Sequence, residues 1–183
     1  KLSYLINPGL DISDFIQDLT GITQDELNRS PIFEEVSDNI KQFLMDENGK
    51  QHTIIAHNSS FDIGFLKKNG INISGPVFDT YDLAFTLLSD SDYGLQDLAN
   101  EFDIDSKSAH RALSDAETTM KLFLVLSEKL YKFSDEKINK LSKLNYSLEP
   151  PYQFAPSKLA SIFSKSNRTI QKVKKPKLKI EYD

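Results

Sequence analysis

The run Thr53-Ile54-Ile55-Ala56 is short, apolar and partly β-branched, and it leads straight into the polar pair His57-Asn58. A segment of that composition fits the carboxyl end of a central parallel strand, buried on both faces. In α/β folds, ligands bind just beyond such strand ends. After it, Phe61, Phe65 and Leu66 fit one helix face, Gly70 is a natural stop, and Val77-Phe78-Asp79 reads as a second brief strand. The expected class is therefore α/β, with helices flanking the sheet.

The remaining elements follow from spacing. Leu2-Ser3-Tyr4-Leu5-Ile6 reads as a strand entering the turn Asn7-Pro8-Gly9, so the chain is expected to begin in mid-fold. Phe33, Val36, Ile40, Phe43 and Leu44 mark an amphipathic helix that stops before Glu47-Asn48-Gly49. Two helices are expected at about Tyr81–Leu88 and Leu95–Glu101. Ser114 and Glu117 read as a capping box ahead of Met120, Leu122, Phe123, Leu124, Leu126 and Leu130. That places Asp115 in the first turn of a helix, where the dipole favours its ionised form, with His110 in the preceding loop. Another helical stretch carries Ile138, Leu141 and Leu144 before Glu149-Pro150-Pro151 breaks the pattern, and an apolar patch of Phe154, Leu159, Ile162 and Phe163 follows. The domain is expected to cover residues 1–150, with residues 151–183 as a helical and basic linker or the start of a further region.

At 183 residues, 39% hydrophobic and 27% charged, the chain can bury one ordinary core. It holds no apolar run long enough to span a bilayer and no secretory-type opening, so no membrane association is expected. With no cysteine, disulfides and thiolate metal sites are excluded, and the composition fits a cytoplasmic setting. The net charge of −5 argues against gripping nucleic acid by general positive potential. Bound cations can still neutralise phosphates locally. The segment Lys165 to Lys179 carries seven basic residues and no acidic one, and reads equally as a solvated linker or a phosphate-binding arm.

Asp62, His110 and Asp115 carry the chemistry: carboxylates suit hard cations, and imidazole accepts a proton near neutral pH. Metal-assisted phosphodiester hydrolysis fits this set. A pair of divalent ions roughly 4 Å apart needs several bridging carboxylates, and two aspartates are too few.

Asn58-x-x-Phe61-Asp62 and His110-x-x-x-x-Asp115, in that order, resemble the second and third motifs of the DEDDh 3′-to-5′ exonucleases, the family of the polymerase III proofreading subunit. The resemblance runs from Leu5 to about Leu130 and includes Leu19-Thr20-Gly21-Ile22-Thr23 and Phe78-Asp79-Thr80. It implies a ribonuclease H-like mixed sheet flanked by helices. It further implies Asp62 and Asp115 as ligands of two divalent ions, Mg²⁺ or Mn²⁺, and His110 as the general base. Asn58 and Phe61 would border the substrate nucleotide, with Thr20, Gly21 and Ile22 beside the terminal base. The implied substrate is a DNA 3′ end, single-stranded or frayed, with RNA still open. The helices and basic linker beyond Pro150 resemble the exit from the nuclease domain in bacterial exonuclease–helicase fusions, so a polymerase or helicase partner or fused domain is an expectation.

One family feature is absent: the Asp-x-Glu motif of the first strand, which would precede Leu2. Asp115-Ala116-Glu117 imitates its wording, but residues two apart on a helix point about 200° apart. The first strands are therefore expected to be missing, and the 183 residues are expected to be an inactive, poorly stable fragment. His57 is expected to pack or hydrogen-bond beside the site, His52 to lie at the surface, and Asp79 to serve a turn or a cap. Phe85, Phe102, Phe123 and Tyr131 are expected in the core. Two classes stay open: a metal-dependent exonuclease, and a non-catalytic module of the same fold used for nucleic-acid or protein contact.

Overall fold

The structure is a computed structural model that describes residues 1–89, 92–106, 111–134, 136, 137 and 140. Two compact units divide between Leu126 and Ser127, and the first, Lys1–Leu126, holds the sheet. The region around Pro150 lies outside the described residues, as do Ile138, Leu141, Leu144 and everything beyond.

In chain order, the first unit carries α1 (Asp14–Thr20), α2 (Gln24–Asn28), α3 (Phe33–Phe43), β1 (Ile54–Ala56), α4 (Ser59–Lys68), β2 (Val77–Asp79), α5 (Thr80–Leu87) and α6 (Leu95–Glu101). The last helix, α7 (Ala112–Tyr131), begins in this unit and runs across the dividing line. β1 and β2 pair in parallel, Ile54 opposite Val77, Ile55 opposite Phe78 and Ala56 opposite Asp79. The α4 crossover between them satisfies the geometry that parallel pairing requires. The two periodicities read from the sequence thus meet in one βαβ unit whose strands end side by side at His57 and Thr80.

Apolar burial holds this arrangement. Phe33 and Val36 on α3, Ile63 on α4, Phe78 on β2, Leu83 and Ala84 on α5, Leu98 and Ala99 on α6, and Leu122 and Leu126 on α7 are all buried. Phe33 meets Phe65 edge-on at 5.9 Å, and Phe78 packs against Phe123 at the same separation. Fully burying an aliphatic or aromatic side chain of this size contributes about 1.5–3 kcal/mol.

Four expectations are corrected. β1 is a strand but not a buried one: Ile55 is exposed and Ile54 and Ala56 are only partly covered, because among the described residues β2 is its one partner strand. Leu2 to Ile6 forms no strand: a strand needs a neighbour to complete its ladder, and here Asn7 N–H donates to the Pro31 carbonyl at 2.8 Å while Tyr4 is tied through its hydroxyl to Asn39 at 3.0 Å. Ser114 is not a helix cap, because α7 starts at Ala112 and its first turn closes with Asp115 N–H donating to the Arg111 carbonyl at 2.9 Å. Glu117 instead pairs with Lys1 Nζ at 2.6 Å. Phe85 and Tyr131 are exposed rather than core, since the inward face of α5 is taken by Leu83 and Ala84.

Candidate active site

The carboxyl ends of β1 and β2 are stitched together by Asp79. Asn58 takes a left-handed backbone, φ 58°, and its side chain makes no capping hydrogen bond to α4. The Asp79 carboxylate supplies that cap from the neighbouring strand, accepting from Asn58 N–H at 2.9 Å and Ser59 N–H at 2.6 Å. It also accepts from Tyr81 N–H at 2.9 Å and so caps α5. One side chain therefore serves two helix starts, where anions are favoured by the unpaired N–H groups and the dipole. Asp79→Ala is expected to lower unfolding free energy by about 1–3 kcal/mol, as read by urea denaturation, because it leaves these donors without their acceptor.

His57 sits behind this junction. Its Nδ1 lies 2.9 Å from Thr80 Oγ1, its ring meets Tyr81 edge-on at 5.8 Å, and Thr80 donates to the Ala56 carbonyl at 3.1 Å. Burial lowers its pKa, which keeps the imidazole neutral at pH 7 and suits the packing role expected of it. His52 is at the surface, as expected.

Along β1 and the residues that follow it lies an open pocket of about 710 Å³. Its floor is β1 with His57 and Asn58, α4 brings Phe61 and Asp62, α6 brings Leu95, and α7 brings Ala112, Asp115, Ala116 and Thr119. The α7 residues follow a 3-, 4- and 7-residue spacing and so share one helix face. Small residues at positions 112 and 116 leave room around the Asp115 carboxylate. Asp62 lies in the first turn of α4 and Asp115 in that of α7, so two helix starts present acids to one cavity. The Asp62 residue is exposed overall, yet its carboxyl loses hydration at the pocket wall. That desolvation raises its pKa; its own backbone N–H works against the rise, and the negative charge of Asp79 adds to it. A cation placed here would relieve that cost.

Asp115 Oδ1 also accepts from Gln96 Nε2 at 3.3 Å, a long contact that nonetheless orients the carboxylate. Gln96 was not among the expected site residues; no local motif marks it, since it reaches Asp115 from α6 across 19 positions. Phe61 borders the cavity with 77% of its surface exposed, an unusual placement for an aromatic with no substrate to cover it. Thr20, Gly21 and Ile22 form the elbow between α1 and α2 and do not line the pocket. His110 lies outside the described residues, immediately before Arg111 at the start of α7. Among the described residues no group of three or more His, Asp or Glu side chains could hold a metal ion. Asp62 and Asp115 are the two acidic residues that line the pocket. No described helix is long and apolar enough to cross a membrane.

A further acid reports on the same field. Burial, reinforced by the charge of Asp79, raises Asp82 on α5 from 3.8 to about 6. Its protonated form is the one the folded state favours. Its contribution to stability is therefore complete below pH 4 and is lost as pH rises through about 6. After allowance for solvent screening of this half-exposed group, the loss is about 1 kcal/mol. Asp82→Asn is expected to flatten thermal stability between pH 4 and 7; an unchanged slope in the variant would assign the dependence to other groups.

Comparison with known proteins matches this geometry to a family. The exonuclease family model named RNase T matches residues 1–123. The PolC-type DNA polymerase III of Caldanaerobacter subterraneus subsp. tengcongensis is 33% identical over 144 residues, 76% of this chain and 10% of the polymerase. That of Streptococcus pneumoniae serotype 2 is 34% identical over 170 residues, 88% of this chain and 11% of the relative. The 3′-5′ exonuclease DinG of Staphylococcus epidermidis is 38% identical over 154 residues, 79% of this chain and 16% of that protein. The chain thus spans a small part of the curated relatives it matches. Among solved structures, Exonuclease X in complex with 5′ overhanging duplex DNA superposes with a TM-score of 0.54 at 24% identity, over 69% of this chain and 72% of that one. That match bears out the α/β, ribonuclease H-like fold expected from the motifs. The chain belongs to the RNase T exonuclease family.

Proposed function

We propose that this chain is the nuclease domain of a metal-dependent 3′-to-5′ exonuclease that hydrolyses phosphodiester bonds at DNA 3′ ends during repair or proofreading. The observation that carries this reading is the convergence of Asp62 and Asp115, from the first turns of two different helices, on one pocket lined by β1 and the residues that follow it. Family membership and the names of the polymerase and exonuclease relatives support it.

In this reading Asp62 and Asp115 hold two divalent ions, Mg²⁺ or Mn²⁺, together with carboxylates from an Asp-x-Glu strand upstream of Lys1. When bound, such ions supply an activated water and charge stabilisation at the leaving oxygen. The chain's own residues do the rest. Gln96 orients Asp115, and Asp79 fixes the α4 start from which Asp62 projects. His110 takes the proton of the attacking water, and exposed Phe61 stacks on the terminal base with Asn58 at its edge. Thr20, Gly21 and Ile22, outside the pocket lining, would meet the terminal base as the family resemblance implies. The name of the polymerase relative supports a polymerase partner or fused domain, and the resemblance to exonuclease–helicase fusions supports a helicase one.

The alternative, a non-catalytic contact module, draws on one observation: among the described residues the acids present are too few for a metal cluster. Metal dependence separates the two. A protein that includes the upstream coding sequence is expected to release mononucleotides from a single-stranded oligodeoxynucleotide in Mn²⁺, and to lose that release in EDTA or on Asp62→Asn. Release that survives both changes would rule out the proposed site.

A further inference from the structure

We infer that Arg111 is a positioning residue that fastens the Thr20-Gly21-Ile22 elbow to the helix turn bearing Asp115. Its Nη2 donates to the Gly21 carbonyl at 2.8 Å, across 90 positions of sequence. Its own backbone carbonyl accepts from Asp115 N–H at 2.9 Å. The two ends of one residue thus hold the elbow and the site aspartate.

The elbow is stiff within itself but weakly anchored by packing. Gly21 caps α1 with φ 64° and donates to the Gln17 carbonyl at 2.7 Å; Thr20 Oγ1 donates to the Ile16 carbonyl at 2.7 Å and accepts from Ile22 N–H at 3.2 Å. Thr23 and Glu26 close a capping box on α2, and Gln24 N–H donates to Gln17 Oε1 at 3.2 Å. Yet α1 buries none of its residues, and Phe15, Ile16 and Leu19 are 70%, 38% and 42% exposed. Apolar burial is therefore small on the α1 side, while buried Leu27 anchors α2, and a polar tether carries more of the placement of the α1 arm. The Arg111 guanidinium also lies close enough to Glu26 to help hold that carboxyl low, behind the larger effect of the Thr23 hydrogen bonds.

A planar guanidinium on a single carbonyl leaves further donors directed at the same face, so small shifts of the elbow do not break the contact. With the tether in place, the elbow and the Asp115 turn move as one body. The functional consequence rests on the reading of the pocket as the site where a DNA 3′ end is hydrolysed. Releasing the elbow frees the residues that this reading places against the substrate end outside the pocket, and leaves Asp62 and Asp115 on their own helices. Capture weakens, while the chemical step is spared.

The test compares wild type, Arg111→Ala and Arg111→Lys in the nuclease with its upstream sequence, by hydrogen–deuterium exchange without substrate and by kinetics on a short single-stranded oligodeoxynucleotide in Mn²⁺. In Arg111→Ala, amides of residues 13–28 are expected to exchange faster, and KM to rise about three- to tenfold with kcat within about twofold, the factor one ordinary hydrogen bond sets. Arg111→Lys, which can still serve a single carbonyl, is expected to restore both. Unchanged exchange in Arg111→Ala, or a fall in kcat with constant KM, overturns the assignment. A wild-type protein with no nuclease activity removes the catalytic reading, and the exchange comparison still decides whether Arg111 holds the elbow.

Discussion

His110→Ala is expected to lower turnover by roughly two to four orders of magnitude while leaving divalent-cation affinity nearly unchanged, the pattern of a general base lost from an intact ligand set. A water near an activating cation still needs a group to take its proton, and imidazole has the right acidity at pH 7. His57 does not substitute: it is engaged with Thr80, buried beside Tyr81, and held neutral by that burial. Asp115→Ala is the contrasting case and is expected to lose both turnover and cation affinity, because Asp115 lines the pocket proposed to hold the cations. Parallel Mn²⁺ titration and kinetics of the two variants separate these roles. Equal losses of affinity in both would remove His110 from the role of base.

Supplying the upstream strand is the second large change. β1 pairs with β2 on one edge, and among the described residues no strand pairs with its other edge. An added strand ending in Asp-x-Glu, paired with that edge, would satisfy further backbone groups and bring its acids to the pocket that holds Asp62 and Asp115. Residues 1–183 alone are therefore expected to melt at lower temperature and to show no mononucleotide release, and the extended protein to gain both cooperativity and activity. A cooperative melt of the short chain that matches the extended one would contradict this account.

What was legible in the sequence follows from how local each signal is. The strand at Ile54–Ala56, the strand at Val77–Asp79 and the helix Leu95–Glu101 are announced by their own apolar pattern and bounding polar residues. Asp62 and Asp115 could be singled out from spacing, and the structure brings both to one pocket. The reading of Leu2–Ile6 as a strand failed because pairing is non-local and no composition supplies a partner. α1 was not expected although Phe15, Ile16 and Leu19 stand at helical spacing, because a run of seven residues gives the period too few repeats to stand out. The Ser114–Glu117 spacing misled where Thr23–Glu26, with the same form, is a true capping box. Cross-element contacts were invisible: Gln96 to Asp115, Arg111 to Gly21, and the reach of Asp79 from one strand end to the helix start of the other.

The most direct measurement follows the polarity of hydrolysis. A 5′-labelled single-stranded oligodeoxynucleotide, incubated with the upstream-extended protein and Mn²⁺ and resolved at single-nucleotide length, is predicted to shorten stepwise from its 3′ end, and Asp115→Ala to leave it intact. Internal cuts, release of the labelled 5′ nucleotide first, or undiminished shortening by Asp115→Ala would contradict the assignment of this pocket as a 3′-to-5′ exonuclease site.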